Sequence, residues 1–168
     1  MGYSYLEKYE IIRVTPTVDT SQYAVGDVAF TATEIPNAVR EDGGCSKILR
    51  CFIMDQDRDT FDIHLFFTEK NTALGTINAT ADISDANMEA IGLCGLLQAK
   101  SDEGQSNVVD NVRIMATQSM TGAGESVEPF LIQAEAGSKS VYVSGVFTDG
   151  TPTFAAADDL DLILHIEK

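Results

Sequence analysis

Residues of the types that most often perform catalysis are few in this sequence. It contains two histidines, His64 and His165, and each lies within a stretch of alternating apolar and polar residues. Such alternation is typical of a half-buried strand, so we interpret both histidines as strand residues. Nucleophilic catalysis needs a serine or cysteine beside a base that a third group orients. No sequence motif for that arrangement occurs, so we predict a protein that is not an enzyme and has no catalytic residues.

Three aspartates at alternate positions, Asp55, Asp57 and Asp59, are the candidates for a metal site. Their spacing matches the start of the calcium-binding loop of EF-hand proteins. That loop also requires a glycine at its sixth position and a glutamate at its twelfth. This chain has Thr60 and Phe66 there instead. We therefore expect no metal and no other cofactor, and we interpret the aspartates as the solvated tip of a hairpin. A calcium site between this tip and the acidic cluster near the C-terminus remains an alternative.

The cysteines and glycines also lack the spacing that chemistry requires. Cys45, Cys51 and Cys94 are odd in number and match no paired zinc-binding spacing. We predict free thiols, as expected of a protein made in a reducing cytoplasm. A glycine-rich stretch at residues 122–125 precedes strand-like residues and has no lysine, so it is a turn rather than a phosphate-binding loop.

The charge of the chain argues against two classes of partner. Its 168 residues include 26 acidic and 11 basic side chains, for a formal net charge of −15. Such a surface repels nucleic-acid phosphates and anionic lipid headgroups. No apolar run approaches the roughly 20 residues that span a bilayer, and the N-terminus lacks the basic and apolar pattern of a secretion signal. We therefore expect neither a nucleic-acid nor a membrane partner.

Alternating apolar and polar residues along the chain predict a β protein. The predicted strands are Tyr23–Thr33, Ser46–Met54, Phe61–Thr68, Leu96–Ala99, Val108–Ala116, Glu128–Ala134, Ser140–Thr148 and Leu160–Glu167. One short helix, Ala86–Ile91, is predicted after the capping residues Ser84 and Asp85. The segments between strands are too short for the crossover helices that parallel strands need. The predicted fold is an all-β antiparallel β-sandwich, jelly-roll-like, with about eight strands and one short helix.

The start of the chain predicts a boundary between an arm and a domain. The stretch VTPTVDTSQYAVGDV, Val14–Val28, contains Pro16 and several β-branched residues, which disfavour a helix. We interpret it as the end of an extended segment, a turn around Asp19–Ser21, and the approach to a new strand. On this interpretation residues 1–14 are an N-terminal arm and residues 15–168 are a single β-sandwich domain.

Four stretches of the sequence resemble a known family. They are RVTPTVDTSQYAVGDV, EIPNAVREDGGCSKILRCFIMDQD, FDIHLFFTE and SVYVSGVFTDGTPTFAAADDLDLILHIEK. Their order is similar to that of small structural proteins encoded in the head modules of tailed bacteriophages, the capsid decoration or cement proteins. The resemblance extends from about Val14 to Ile166 and is weakest over Ala99–Pro129. It implies a β-sandwich or jelly-roll domain, usually trimeric, that binds the outer face of the capsid shell.

The resemblance implies a structural virion protein without enzymatic activity. Such a protein is made in the cytoplasm of the bacterial host, lies on the outer capsid surface and bridges subunits of the major capsid protein. A homotrimer would suit a local threefold position, because a closed ring saturates its contacts. A receptor- or glycan-binding knob of a head or tail fibre is the alternative, since jelly rolls also serve as lectins. A cupin-like enzyme would need clustered metal-binding histidines, which two histidines on separate strands do not favour.

We predict that the arm contacts the capsid or a neighbouring subunit. The residues expected at this interface are Tyr3, Tyr5, Lys8, Tyr9 and Arg13. Tyrosine is favoured at interfaces because it buries a large rigid ring while its hydroxyl stays hydrogen-bonded. Residues 1–58 carry nine acidic and six basic side chains and are the least acidic third, so Lys8 and Arg13 could meet an acidic capsid surface. Alternatively, the tyrosine rings cover one end of their own sandwich and loops bind the partner.

Overall fold

The structure is a computed structural model that describes residues 8–102, 105–106, 110–119 and 129–168. These residues contain eleven strands and one short helix. In chain order they are β1 (Tyr9–Val14), β2 (Val28–Ile35), β3 (Cys45–Asp55), β4 (Phe61–Thr68), α1 (Asp85–Ala90), β5 (Leu93–Ala99), β6 (Gln105–Ser106), β7 (Arg113–Ala116), β8 (Gln118–Ser119), β9 (Phe130–Gln133), β10 (Val141–Gly150) and β11 (Leu160–Glu167).

The strands form two antiparallel sheets that pack face to face. The first sheet has the order β1-β11-β3-β7-β6, and β9 pairs with the remaining part of β3. The second sheet has the order β2-β10-β4-β5-β8. Over the first four strands of each order, strands from the two halves of the chain alternate, as in a jelly roll. The predicted antiparallel, jelly-roll-like sandwich with one short helix is therefore confirmed.

The first strand corrects the predicted boundary between arm and domain. Residues Tyr9–Val14 were assigned to the arm, but they pair with β11 along their whole length, with Tyr9 opposite Glu167 and Val14 opposite Leu162. Ile12 and Val14 are buried in the core, because alternate residues of a strand face opposite sides of the sheet. The sandwich therefore begins at residue 9, and β1 is the first strand of the jelly roll.

The second strand begins later than predicted. Tyr23 lies in the connection before β2, and its buried hydroxyl accepts a hydrogen bond from the Asp19 amide at 2.6 Å and donates one to the Ala29 carbonyl at 2.9 Å. Its ring packs edge-to-face on Phe147, with 4.8 Å between centroids. These contacts explain the polar stretch between β1 and β2: it is a turned connection that one tyrosine fixes to the core.

Other elements differ from their predicted limits by a few residues. The helix is confirmed as α1, and the Ser84 side chain caps it by accepting the Asn87 amide. The predicted strand over residues 108–116 is observed only as β7, because a turn at Asn111 with φ of 64° precedes it. Residues 108–109 and the glycine-rich stretch at 122–125 lie outside the described residues.

The two sheets differ in what covers their outer faces. The connection from β4 to β5, which contains α1, folds over the second sheet. Its residues Leu74 and Ile91 are buried and pack with Val28, Phe66 and Val146 in a small cluster outside the main core. In the described part of the chain no comparable segment covers the outer face of the first sheet. Among the described residues, the chain therefore covers the outer face of one sheet and not that of the other.

Candidate interaction face

The outer side chains of the first sheet form a continuous surface, which we call the bare face. Its members come from β1, β11, β3, β7 and β9, in cross-strand rows set by the strand register. They are Tyr9, Ile11, Arg13, Asp161, Ile163, His165, Glu167, Lys47, Leu49, Arg50, Phe52, Met54, Ile114, Ala116 and Leu131. The odd-numbered residues of β1 belong to this face because the even-numbered Ile12 and Val14 point into the core.

A bulge in β3 adds a second side chain at one position of the bare face. His165 is opposite Arg50 and Ile166 is opposite Ile48, so Leu49 has no partner in β11. Leu49 and Arg50 both lie outside the core, between buried neighbours. A bulge re-aims side chains in this way. It places an apolar and a basic side chain side by side near the middle of the sheet.

The bare face exposes large apolar side chains. Among the described residues five large hydrophobic side chains are classed as exposed, and three of them are on this face: Tyr9 at 59%, Ile11 at 56% and Leu131 at 61%. Tyr9, Ile11, Leu49 and His165 contribute to the wall of a shallow groove of about 410 Å³. Exposed apolar side chains that cluster around a groove are typical of an interaction site.

The bare face is also basic, although the protein is strongly acidic. Lys47 and Arg50 project from β3, Arg13 projects from β1, and Lys8 directly precedes β1. The charged members of the face are three cations, Arg13, Lys47 and Arg50, and two acidic residues, Asp161 and Glu167, which gives a formal local charge of +1 in a chain of net −15. Lys8 and Glu10, at its margin, cancel in formal charge. In the described part of the chain neither Arg13 nor Arg50 has an ion pair. Both guanidinium groups are therefore available to a partner.

Glu167 is already neutralised within the bare face. Its carboxylate forms an ion pair with Lys8 and lies 3.9 Å from the Nζ of Lys47. The hydrogen bond with Lys8 lowers the pKa of Glu167 and raises the pKa of Lys8. The Lys8 Nζ also lies 5.2 Å from the centroid of the Tyr9 ring, in cation–π geometry. These contacts hold the start of β1 against β11.

The structure brings together those predicted interface residues that it describes. Tyr9 and Arg13 lie on β1 with their side chains on the bare face, and Lys8, which directly precedes β1, reaches this face through its contacts with Glu167 and Tyr9. Tyr3 and Tyr5 lie outside the described residues. Sequence reasoning missed Ile11 and Arg50. The alternation of Tyr9–Val14 does not indicate Ile11, because Ile11 and Ile12 are consecutive and either could face the core. Arg50 reaches the face through a bulge that no local pattern indicates.

The aspartates considered as metal ligands are used for loop structure. Asp55 is fully buried, and its carboxylate accepts the amides of Asp57 at 2.9 Å and Asp59 at 2.6 Å. Asp57 accepts the Ala155 amide at 2.6 Å, and Asp59 accepts the Thr153 amide at 2.8 Å. The hairpin tip is therefore tied to the connection between β10 and β11. The prediction of a solvated tip is wrong for Asp55, because its backbone partners hold it inside.

Charge inside this hairpin is only partly compensated. Burial raises the pKa of Asp55 to about 6, although its two amide partners oppose the shift. Burial also raises the pKa of Asp59, and the nearby positive charge of Arg113 opposes that shift. Arg113 is itself buried opposite Asp55, and its Nε and Nη1 atoms have no hydrogen-bond partner. Within the described residues no group of three or more His, Cys, Asp or Glu side chains is arranged to hold a metal ion.

The histidines and cysteines are dispersed. His64 lies on β4 of the second sheet and His165 on β11 of the first, where it packs edge-to-face on Phe52 at 5.6 Å. Burial lowers the pKa of His64 and raises the pKa of Cys51 to about 12. Burial also raises the pKa of Cys94, so both thiols disfavour the reactive thiolate form. These side chains form no shared site with an activated nucleophile in the part of the chain that the structure describes.

Comparison of the chain with known protein families, curated proteins and solved structures found no match. The resemblance to capsid decoration proteins therefore stays a prediction. In the described ranges no helix is long and apolar enough to cross a membrane.

Proposed function

We propose that this protein is a non-enzymatic structural protein of a tailed-bacteriophage virion, which decorates and stabilises the outer surface of the capsid. In this proposal the bare face contacts the major capsid protein, and three copies assemble around a local threefold position. The observation that carries the proposal is the contrast between the two sheets. In the described residues, the β4–β5 connection covers the outer face of the second sheet, and no comparable segment covers the apolar, basic bare face of the first.

The composition of the bare face suits attachment to a large protein surface. Burying a large apolar side chain contributes roughly 1.5–3 kcal/mol before ordering costs are subtracted. Tyr9, Ile11 and Leu131 together could therefore supply a few kcal/mol per subunit. A trimer would engage several such faces at once, and multivalency would raise the overall avidity without new contacts.

The charge distribution supports the same orientation. Packaged DNA fills the interior of a phage shell, so a protein of net charge −15 is better placed outside than against the genome. Acidic capsid surfaces attract the basic face of this acidic protein. The attraction turns that face toward the capsid and the remaining surface toward solvent. The resemblance to decoration proteins adds the identity of the partner.

The test of this function is the copy number in purified virions, measured by quantitative mass spectrometry against the major capsid protein. Decoration of the shell predicts a number of copies comparable to that of the capsid subunit. A small number per particle would favour the alternative, a receptor- or glycan-binding knob on a fibre. Absence from virions would overturn both. Light scattering on the free protein tests the trimer, and a stable monomer at high concentration would contradict assembly before binding.

A further inference from the structure

The open edge of β1 lies along one side of the bare face. In the described part of the chain β1 pairs with β11 on one side and with no strand on the other. We propose that this edge accepts an extended segment of the partner protein as an additional antiparallel or parallel strand, and that this segment carries apolar and acidic side chains on one side. The identity of the partner as a capsid subunit rests on the proposed function, whereas the chemistry of the edge does not.

The strand register shows which backbone groups the edge presents. The Lys168 amide donates to the Lys8 carbonyl at 2.8 Å, so this opposing pair is a hydrogen-bonded pair. Such pairs alternate along an antiparallel ladder, which means that the even-numbered residues of β1 bond to β11. The amides and carbonyls of Tyr9, Ile11 and Arg13 therefore point toward the open edge. They are a ready template for another strand.

Protein edges are normally protected, and the two edges on this side of the sandwich differ in that respect. The start of β2, the corresponding edge of the second sheet, is bridged by Ile77 and Thr80 from the β4–β5 connection. Proline and bulges are common protective devices at edges, but β1 contains no proline and pairs with β11 without a bulge. Tyr9 and Ile11, whose backbone groups point to the open edge, also have exposed side chains. The edge of β1 is therefore suited to strand addition along its whole length.

The side chains of the bare face define the segment that fits. An added strand would extend the cross-strand rows, so its side chains would lie beside Tyr9, Ile11 and Arg13 on the same face. The side chain of Ile11, which is 56% exposed, favours an apolar residue opposite it. Arg13, which has no ion pair among the described residues, favours an acidic residue opposite it. The occupant is thus an extended segment with alternate apolar and acidic residues on one side, a form of β-augmentation.

The test uses a capped synthetic peptide in which every second residue is threonine and the residues between are glutamate and valine in turn. In an extended conformation, glutamate and valine then lie on one side of the peptide and threonine on the other. A second peptide has lysine in place of glutamate. Affinity is measured by calorimetry, and backbone amide exchange is followed by NMR. We expect the acidic peptide to bind at least about tenfold more tightly than the lysine peptide. Binding should slow exchange at Tyr9, Ile11 and Arg13 more than at Glu10 and Ile12, which already bond to β11.

Two variants test the edge itself. Ile11→Pro removes an outward amide and leaves the β11 ladder intact, because proline is tolerated at an edge position whose amide faces outward. Ile11→Val keeps that amide and serves as the control. We expect Ile11→Pro to weaken peptide binding by at least about tenfold and Ile11→Val by less than about twofold. Equal binding by the two variants, no binding of the acidic peptide by the native protein, or dimerisation that Ile11→Pro abolishes would each overturn the inference.

The same variants separate this inference from the proposed function. They are added to capsids assembled from the major capsid protein of the same phage. Peptide binding with no binding of the native protein to capsids would contradict the capsid function and leave strand addition supported. Capsid binding that is equal for Ile11→Pro and Ile11→Val would support the capsid function and overturn strand addition.

Discussion

At the scale of single residues, the two adjacent isoleucines of β1 have opposite roles. Ile11 is 56% exposed and faces a groove on the bare face, whereas Ile12 is 7% exposed and packs in the core. The difference follows from strand geometry, since successive side chains point to opposite faces. The same pair also separates the two functions of β1, which are to complete the sandwich and to present a binding surface.

We expect Ile12→Ala to lower the free energy of unfolding by roughly 2–4 kcal/mol, because it removes a buried side chain and leaves a cavity. Ile11→Ala should change it by less than about 0.5 kcal/mol, as is usual at exposed positions. Urea denaturation followed by circular dichroism measures both values. Equal destabilisation by the two variants would contradict the assignment of Ile12 to the core.

A second residue-scale prediction concerns Asp55. Its pKa is raised to about 6 by burial, against an ordinary value of 3.8. Between these values the folded protein holds a proton that the unfolded chain has lost, so this group makes stability fall as pH rises from about 4 to 6. Its contribution is up to about 3 kcal/mol, at about 1.4 kcal/mol per pH unit.

Asp55→Asn should remove this part of the pH dependence. At pH 4 we expect the variant to be about 1–3 kcal/mol less stable than the native protein, because an amide oxygen replaces only one of the two oxygens that accept backbone amides. Unfolding curves in urea across this pH range measure the effect. Glu89→Gln, at an exposed position of α1, is the control and should follow the native profile. Parallel curves for Asp55→Asn and the native protein would contradict a shifted Asp55.

At the scale of elements, β1 links the two ends of the chain. It pairs with β11 over six opposing residue pairs. Two ion pairs, Lys8 with Glu167 and Lys168 with Glu10, lie at the Tyr9 end of this pairing. In this jelly roll the first and last strands are neighbours in the same sheet. Loss of β1 would therefore expose the edge of β11 and the core beneath it.

Two truncations should separate arm and strand. Removal of residues 1–7 should shift the melting temperature little, since it leaves Lys8 and β1 in place. Removal of residues 1–14 should destabilise the protein by several kcal/mol, because it also removes the buried Ile12 and Val14. Differential scanning calorimetry measures both. A protein that melts normally without residues 1–14 would show that β1 is dispensable and would support an arm that extends to residue 14.

The sequence predicts strands well where the alternation is regular. The predicted limits of Phe61–Thr68 and Leu160–Glu167 agree with the structure to the residue, and alternate apolar side chains of the former, such as Ile63 and Leu65, are fully buried. The segment Tyr9–Val14 has consecutive isoleucines, so its inner face cannot be read from alternation. Its partner strand is also far away in sequence, at the C-terminus.

The candidate site was predictable only in part, for a related reason. Tyr9 and Arg13 were identified from residue type and position, but their neighbours on the bare face come from β3 and β11. Sheet register and the bulge at Leu49 decide which of those side chains join them. The burial of Asp55 could not be predicted for the same reason, that the contacts are distant in sequence. Its hairpin is held by the backbone amides of Thr153 and Ala155.

At the scale of the whole molecule, the charge is distributed unevenly, and a segment of the chain covers the outer face of only one of the two sheets in the described residues. One sheet is covered by the α1 segment, and the other presents a local charge of +1 on a body of net −15. Such a molecule has a preferred orientation toward an acidic partner surface, and salt should weaken that preference. The central claim is that the bare face, and not the acidic remainder of the surface, attaches the protein.

The measurement that tests this claim most directly is co-sedimentation with capsids assembled from the major capsid protein of the same phage. Arg13→Glu and Arg50→Glu each reverse one charge on the bare face, and Lys70→Glu makes the same change in the connection that covers the other sheet. We expect each arginine variant to bind about tenfold more weakly and the lysine variant to bind within about twofold of the native protein. Equal affinities for all three variants, or a loss confined to Lys70→Glu, would contradict the assignment of the bare face as the attachment surface.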